Sequence, residues 1–244
     1  MPALNEEANL ESAVQNVLDA FQTLKINGEI IIVNDGSADR TGEIAQSLAG
    51  AAASLKVIRH ETPLGIGASF WDGILASEGE IVVMLPGDGE NDAAEILKYL
   101  LLMEHVDIVI PFVFNVMVRS WMRRALSGLY RSIINSSFGM TLRYMNGTVM
   151  YRRSILEGME LSAKGFFYQT ELLIKCIRNG YLYAEVPYAL LRRATGRSKA
   201  MSFRSLKSVS KAYLTTLRDV YFSGLKALPF APDSRTAARW KDAG

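Results

Sequence analysis

Short unbroken apolar runs alternate along the chain with longer stretches in which apolar side chains return every three or four positions. Residues 29–33 and 81–85 are runs of the first kind, and Pro86-Gly87 closes the second. Runs this short, rich in β-branched residues and bounded by turn residues, predict buried strands. Apolar side chains at successive positions suit parallel strands covered on both faces. Leu10, Val14, Val17, Leu18 and Phe21 recur at helical spacing, with Asn9 placed to cap that helix. The same reading gives a helix over 42–48 capped by Asp39 or Thr41, a short strand at 57–58, a turn-rich loop over 62–67 and a helix over 68–77. Further on it gives a helix over 93–102, strands at 107–112 and 148–151, a helix over 166–179 ended by Gly180, and an edge-like strand at 182–187. Strands alternating with helices imply an α/β fold with a parallel, doubly wound sheet.

Polar residues gather where strands end. Asn34-Asp35-Gly36-Ser37 follows one strand, and Asp88-Gly89-Glu90-Asn91-Asp92 follows another. The carboxyl ends of strands are where open α/β sheets bind ligands. Asp88 and Glu90, two apart across a glycine, can share one hard cation, and Mg²⁺ typically joins one or two carboxylates to substrate phosphates. The motif reads equally well as a solvated acidic turn with Asp92 capping the next helix.

Two amphipathic patterns follow. Over 119–138, Trp121, Met122, Ala125, Leu126, Leu129, Ile133 and Ile134 share one face, while Arg119, Arg123, Ser127 and Arg131 fall four apart on another. This predicts either an ordinary surface helix with a solvated basic face or one lying near lipid head groups or an anionic acceptor. A second amphipathic helix is expected over 205–225, and a mobile polar tail from about Pro229. Between them, Arg192 to Lys199 places four cations in eight residues, a loop that is either solvated or grips phosphate.

Composition narrows the classes. The chain has 244 residues, 49% hydrophobic and 21% charged, which suits one large α/β domain or one with an appendage. A net charge of +2 is too mild to argue for nucleic acid, although the basic residues concentrate after residue 119. One cysteine allows no internal disulfide and points to a reducing compartment. Two histidines, His60 and His105, lie far apart and argue against a zinc site or a Ser-His hydrolase. The longest apolar run, 106–118, holds Asp107, Pro111 and Asn115 and is too short to span a bilayer.

Five motifs stand in order: Pro2-Ala3-Leu4-Asn5-Glu6, Asn34-Asp35-Gly36-Ser37, Leu64-Gly65-Ile66-Gly67, Pro86-Gly87-Asp88-Gly89-Glu90 and Arg193-x-x-Gly196-x-Ser198-Lys199. Together they resemble family 2 glycosyltransferases of the GT-A fold, in the branch of dolichol-phosphate mannose synthase and bacterial polyprenyl-phosphate sugar transferases. The resemblance covers roughly residues 1 to 205. It implies a GT-A, Rossmann-like catalytic domain over 1–204, an amphipathic helix over 205–228 and a flexible tail over 229–244.

The resemblance further implies an inverting, metal-dependent hexosyltransferase. It would take a GDP- or UDP-linked sugar, use Mg²⁺ or Mn²⁺, and act on a polyprenyl phosphate. Its place would be cytoplasmic and peripheral, on the inner face of the cell membrane. The donor would lie against Pro2, Leu4, Asn5, Glu6, Asp35, Gly36, Ser37, Gly65, Gly67 and Gly87. Asp88 and Glu90 would hold the metal. Glu171, in Phe-x-x-Gln-Thr-Glu, would face the donor sugar, although it also reads as a helix-face partner of Lys175. Arg123, Arg124, Arg193, Ser198 and Lys199 would take phosphate, with Arg193 also catalytic.

Two departures from the family pattern stand out. Pro86 replaces the first aspartate of Asp-x-Asp, and Glu90 replaces the glutamine. The buried strand that precedes the first motif in the family is absent, so the sheet lacks an inner strand or the true start lies upstream. An acceptor hydroxyl would need a base, for which Asp92 or Glu171 are the candidates. A nucleotidyltransferase, a transferase acting on a saccharide hydroxyl, and a silent nucleotide-binding homologue are the rival readings.

Overall fold

The structure is a computed structural model and describes residues 1–115, 117, 121–189, 203–222 and 229–242. Strands β1 (Pro2–Ala3), β2 (Ile30–Asp35) and β3 (Leu55–His60) form one parallel sheet in the order β1-β2-β3. Strands β4 (Ile81–Val83), β5 (Ile108–Val113), β6 (Met150–Arg152) and β7 (Tyr183–Tyr188) form a second, in the order β4-β6-β5-β7. There β5 and β7 pair parallel, whereas β6 runs antiparallel to both neighbours. The fold is α/β and mostly parallel, as expected, but β6 reverses direction inside the second sheet.

Helices α1 (Leu10–Leu24), α2 (Thr41–Ala51), α3 (Ile66–Leu75), α4 (Ala93–Leu97), α5 (Trp121–Phe138), α6 (Tyr168–Arg178), α7 (Phe203–Tyr221) and α8 (Arg235–Asp242) cover the sheets. Their starts follow local chemistry. Asp92 caps α4 by accepting the Ala94 N–H at 3.0 Å, so that residue serves the helix. Asn9 holds the cap position of α1 but donates its side-chain amide to Glu6 instead. The single helix expected over 93–102 divides into α4 and a 3₁₀ segment, Leu100–Glu104.

Strand β5 explains the two-sided core. Ile108 and Ile110 enter an apolar cluster with α5 and α6, while Val109 and Val113 enter another with α1 and α4. Successive side chains of a strand point to opposite faces, so an apolar run serves both layers. Cys176 lies in the first cluster with no exposed surface, and burial pushes its thiol pKa up. Protonated and enclosed, it is unreactive.

Pro2–Ala3 pairs with Val33 and Asn34, and the Gly87 N–H donates to the Pro2 carbonyl at 3.0 Å. This bond ties the first motif to the loop after β4. Beyond β1 the facing parts of the two sheets are separated by a largely apolar cavity of about 290 Å³, lined by Ile31, Phe70, Ile74, Ile81 and Val83 among others.

The C-terminal divisions were expected at 204 and 228. The first falls inside α7, where Val220 is buried and Val209, Ala212, Tyr213 and Leu217 pack on the first cluster. The polar tail is anchored. Asp107 is fully buried and accepts the Arg235 N–H at 2.7 Å and the Thr236 N–H at 2.9 Å. The β5 end thus caps α8 from a distance of more than a hundred residues in sequence. Phe230 packs edge-on against Tyr181, with ring centroids 5.4 Å apart. Arg152, also buried, sets its Nε 3.3 Å from the same aspartate and donates to the Met103 carbonyl and to Glu80.

Removing one partner of a buried ion pair leaves the other uncompensated. Asp107→Asn is therefore expected to cost about 3–5 kcal/mol in chemical denaturation. Limited proteolysis should cleave the variant first between residues 229 and 242.

Candidate active site

A cavity of about 430 Å³ opens at the carboxyl ends of β1, β2 and β4. Its lining includes Pro2, Leu4 and Glu6 from the first motif, Asp35 from the second, and Leu64 and Gly65 from the third. Pro86, Gly87, Asp88 and Glu90 come from the fourth, and Ser69, Gly165 and Phe166 complete it. Parallel strands leave their carboxyl ends on one edge of a sheet, so motifs far apart in sequence meet there.

Asp35 is only 3% exposed, and most of its acceptor capacity is spent on the protein. Oδ1 accepts the Leu64 N–H at 2.7 Å and faces His60 Nδ1 at 2.8 Å, while Oδ2 accepts the Gly65 N–H at 2.9 Å. A carboxylate offers about four acceptor positions, so Oδ2 alone keeps room for a ligand. Asn5, Gly36 and Ser37 stand behind the lining. The Asn5 N–H donates to Ser37 Oγ, and Asn5 Oδ1 accepts the Ala38 N–H. Asn5 adopts a left-handed φ of 54°, a conformation that asparagine tolerates. Below them, burial opposes ionisation of Asp39, but the Thr41 hydroxyl and the amides of Thr41 and Glu7 hold its carboxyl below the ordinary range.

The far wall is set by glycines. Gly65 has φ +103°, and a Cβ there would lie 2.7 Å from the Lys164 carbonyl oxygen. A Cβ on Gly67 would lie 2.6 Å from the Ala163 carbonyl oxygen. That closeness lets the Gly67 N–H donate to the Lys164 carbonyl at 2.8 Å, fastening α3 to the loop before α6.

The profile of Glycosyl transferase family 2 matches residues 1–159. The chain belongs to this family. It is 31% identical over 212 residues to polyprenol monophosphomannose synthase of Mycolicibacterium smegmatis, covering 82% of this chain and 78% of that protein. It is 30% identical over 213 residues to dolichol-phosphate mannosyltransferase of Pyrococcus furiosus, covering 82% of this chain and 57% of that longer protein. A crystal structure of glucosyl-3-phosphoglycerate synthase from Mycobacterium tuberculosis with Mn²⁺, UDP and phosphoglyceric acid superposes with a TM-score of 0.67. That match has 24% identity and covers 88% of this chain and 76% of that one, and it shares the fold. The chain is thus a family 2 glycosyltransferase with the GT-A fold.

Several expected site residues of the transferase lie elsewhere. Glu171 has no exposed surface, and its oxygens accept the Ser162 N–H at 2.9 Å, the Ala163 N–H at 2.8 Å and Lys175 Nζ at 2.6 Å. A carboxylate so committed fixes the 162–165 loop, and Glu171 does not line the cavity. Gly67 packs against that loop and does not line the cavity. Arg123 and Arg124 also lie off the lining, and Arg124 donates to Met117 Sδ at 2.7 Å. Arg193, Ser198 and Lys199 lie outside the described residues. Among the described residues no lysine or arginine lines the cavity.

Asp88 and Glu90 remain the rim carboxylates. Asp88 Oδ1 accepts the Glu90 N–H at 3.1 Å, and Gly89 turns between them with φ +70°. Among the described residues no group of three or more His, Cys, Asp or Glu gathers to hold a metal. Two carboxylate donors on the cavity rim still fit a hard cation that completes its shell with water and phosphate.

Sequence reasoning missed His60, Ser69, Phe166 and the Lys164 carbonyl. Of these, His60 alone left a signal, because strands of equal length ending at Asp35 and at His60 bring the two ends together. Glu171→Gln separates the two roles considered for Glu171. We expect a stability loss of roughly 3 kcal/mol, since the fully buried carboxylate is lost and half-buried Lys175 keeps only the Glu160 carbonyl. We also expect a raised donor KM with kcat nearly unchanged. A kcat collapse at unaltered melting temperature would favour the catalytic role.

Proposed function

We propose that this transferase moves a hexose, with inversion, from a GDP- or UDP-linked sugar to a polyprenyl phosphate at a membrane surface. The observation that carries the donor side is the meeting of four motifs in one cavity with Asp88 and Glu90 at its rim. A nucleoside diphosphate would lie between the loops after β1, β2 and β4, with the diphosphate toward the two acids. Those acids would hold Mg²⁺ or Mn²⁺, which when bound neutralises charge growing on the leaving diphosphate. The relatives named as polyprenol and dolichol phosphate transferases support this reading of the acceptor.

A phosphate acceptor is already ionised near neutral pH, so in-line attack at the anomeric carbon needs no strong base. The site agrees with this, because Asp92 is a helix cap and Glu171 is buried and bonded. Arg193, Ser198 and Lys199 are proposed to meet the phosphates on the strength of the family resemblance.

The membrane side rests on α5. Its apolar residues Met122, Leu126, Leu129 and Ile133 recur at helical spacing and are all exposed, as is Trp121 at 71%. Only Ile134 and Phe138 of this helix are buried. The expectation of an ordinary surface helix with a solvated basic face therefore gives way to a helix with an outward apolar stripe. Exposed contiguous apolar surface marks an interaction site, and basic residues beside it suit anionic lipid. No helix among the described residues is long and apolar enough to cross a membrane. We place the protein peripherally, on the cytoplasmic face.

The deciding assay supplies radiolabelled GDP- and UDP-sugars with polyprenyl phosphate in vesicles, and in parallel with phosphoglyceric acid. Label should partition into the lipid extract, and label confined to the soluble phosphoester would sink the lipid assignment. Asp88→Asn and Glu90→Gln should each lower kcat by roughly 10²-fold or more while the fold persists. Binding to anionic vesicles should weaken with rising salt and fall further in Leu126→Asp.

A further inference from the structure

His60 belongs to neither the family motifs nor the lining of the cavity, yet it sits between two carboxylates. The parallel register of β2 and β3 pairs Asp35 with His60. The ring sets Nδ1 2.8 Å from Asp35 Oδ1 and Nε2 3.1 Å from Asp72 Oδ2. Its side chain is 9% exposed, whereas that of Asp72 is 39% exposed on α3. Ionised carboxylates only accept hydrogen bonds, so both contacts are made when both ring nitrogens carry protons. A neutral ring has one N–H and satisfies one aspartate.

The bracket reaches the cavity through Asp35. The same carboxylate accepts the backbone N–H groups of Leu64 and Gly65, and both residues line the cavity. Those amides belong to the turn that leads into α3, and Asp72 stands on α3 itself. The imidazole therefore joins three parts: the end of β2, the turn over 62–65, and the helix that follows it. Without it, Asp35 keeps its two backbone bonds to the wall but loses the contact that ties it to α3 through Asp72, and the wall is held less firmly.

We propose that His60 is a positioning residue for the nucleotide sugar, clamping Asp35 against Asp72 so that the Leu64–Gly65 wall is preset before the donor arrives. This rests on the nucleotide-sugar reading of the cavity. Preset walls raise affinity by lowering the ordering cost at binding, so the signature is in donor KM and not in kcat. Asp72 makes the useful probe, because it is half exposed, lies off the cavity lining and lies outside the core.

The test compares wild type, His60→Gln, Asp72→Asn and the double variant. Backbone hydrogen exchange over 62–67 is measured without ligand, and UDP and GDP are titrated calorimetrically. Exchange in that segment should quicken about tenfold in His60→Gln, the scale of one lost charge-assisted bond, and less in Asp72→Asn. The Kd of the nucleotide bound by wild type should rise in the same order, donor KM should follow, and kcat should stay within about twofold. The double variant should be no worse than His60→Gln alone. Unchanged exchange in both single variants, or quickened exchange with unchanged nucleotide Kd, would overturn the proposal. Quickened exchange in His60→Gln, together with a wild-type protein that binds neither nucleotide, would overturn the nucleotide reading and leave the hold of His60 on the wall demonstrated.

Discussion

The active-site wall depends on one close approach of backbone to backbone, where the turn over Gly65–Gly67 meets the Lys164 carbonyl. The hydrogen bond is ordinary at 2.8 Å, but the approach is open only to residues without a side chain, since any Cβ there would come within 2.7 Å of a carbonyl oxygen. Real Cβ atoms do not tolerate that distance, and close packing transmits the displacement. Through this contact the half of the protein built from β1–β3 is aligned with the half built from β4–β7. The cavity is lined by residues from both halves.

Two kinds of carboxylate result. Asp35, Asp107 and Glu171 are buried, and each accepts two backbone N–H groups. Burying such a group is tolerable only when its hydrogen-bonding capacity is met, and meeting it locks a loop or a helix end in place. Asp88 and Glu90 are only partly buried and line the cavity itself. The buried acids set the geometry, and the rim acids border the space where a ligand would lie. A sequence shows only that these are all Asp or Glu, and burial sorts them.

That sorting explains what could be read in advance. Strands and helices were legible because apolar periodicity and turn residues are local signals, and the motifs at strand ends were legible because chain direction puts them on one edge. The surroundings of Glu171 were not legible, because the Ser162 and Ala163 groups it meets are backbone amides that carry no signature. The anchored C-terminal segment was hidden for the same reason: a polar stretch from Pro229 looks solvated until Asp107 is found capping it. The antiparallel turn of β6 was not visible either, since a three-residue strand has too few positions to show its direction. The cationic half of the site, placed on Arg193 and Lys199, rests on the family pattern.

Cys176 has a practical consequence. Because the chain's single sulfhydryl is sealed among apolar neighbours and kept protonated, maleimide chemistry would find no background target in the native state. A thiol introduced on α5 or beside the cavity could therefore carry a fluorophore or spin label without first stripping the natural one.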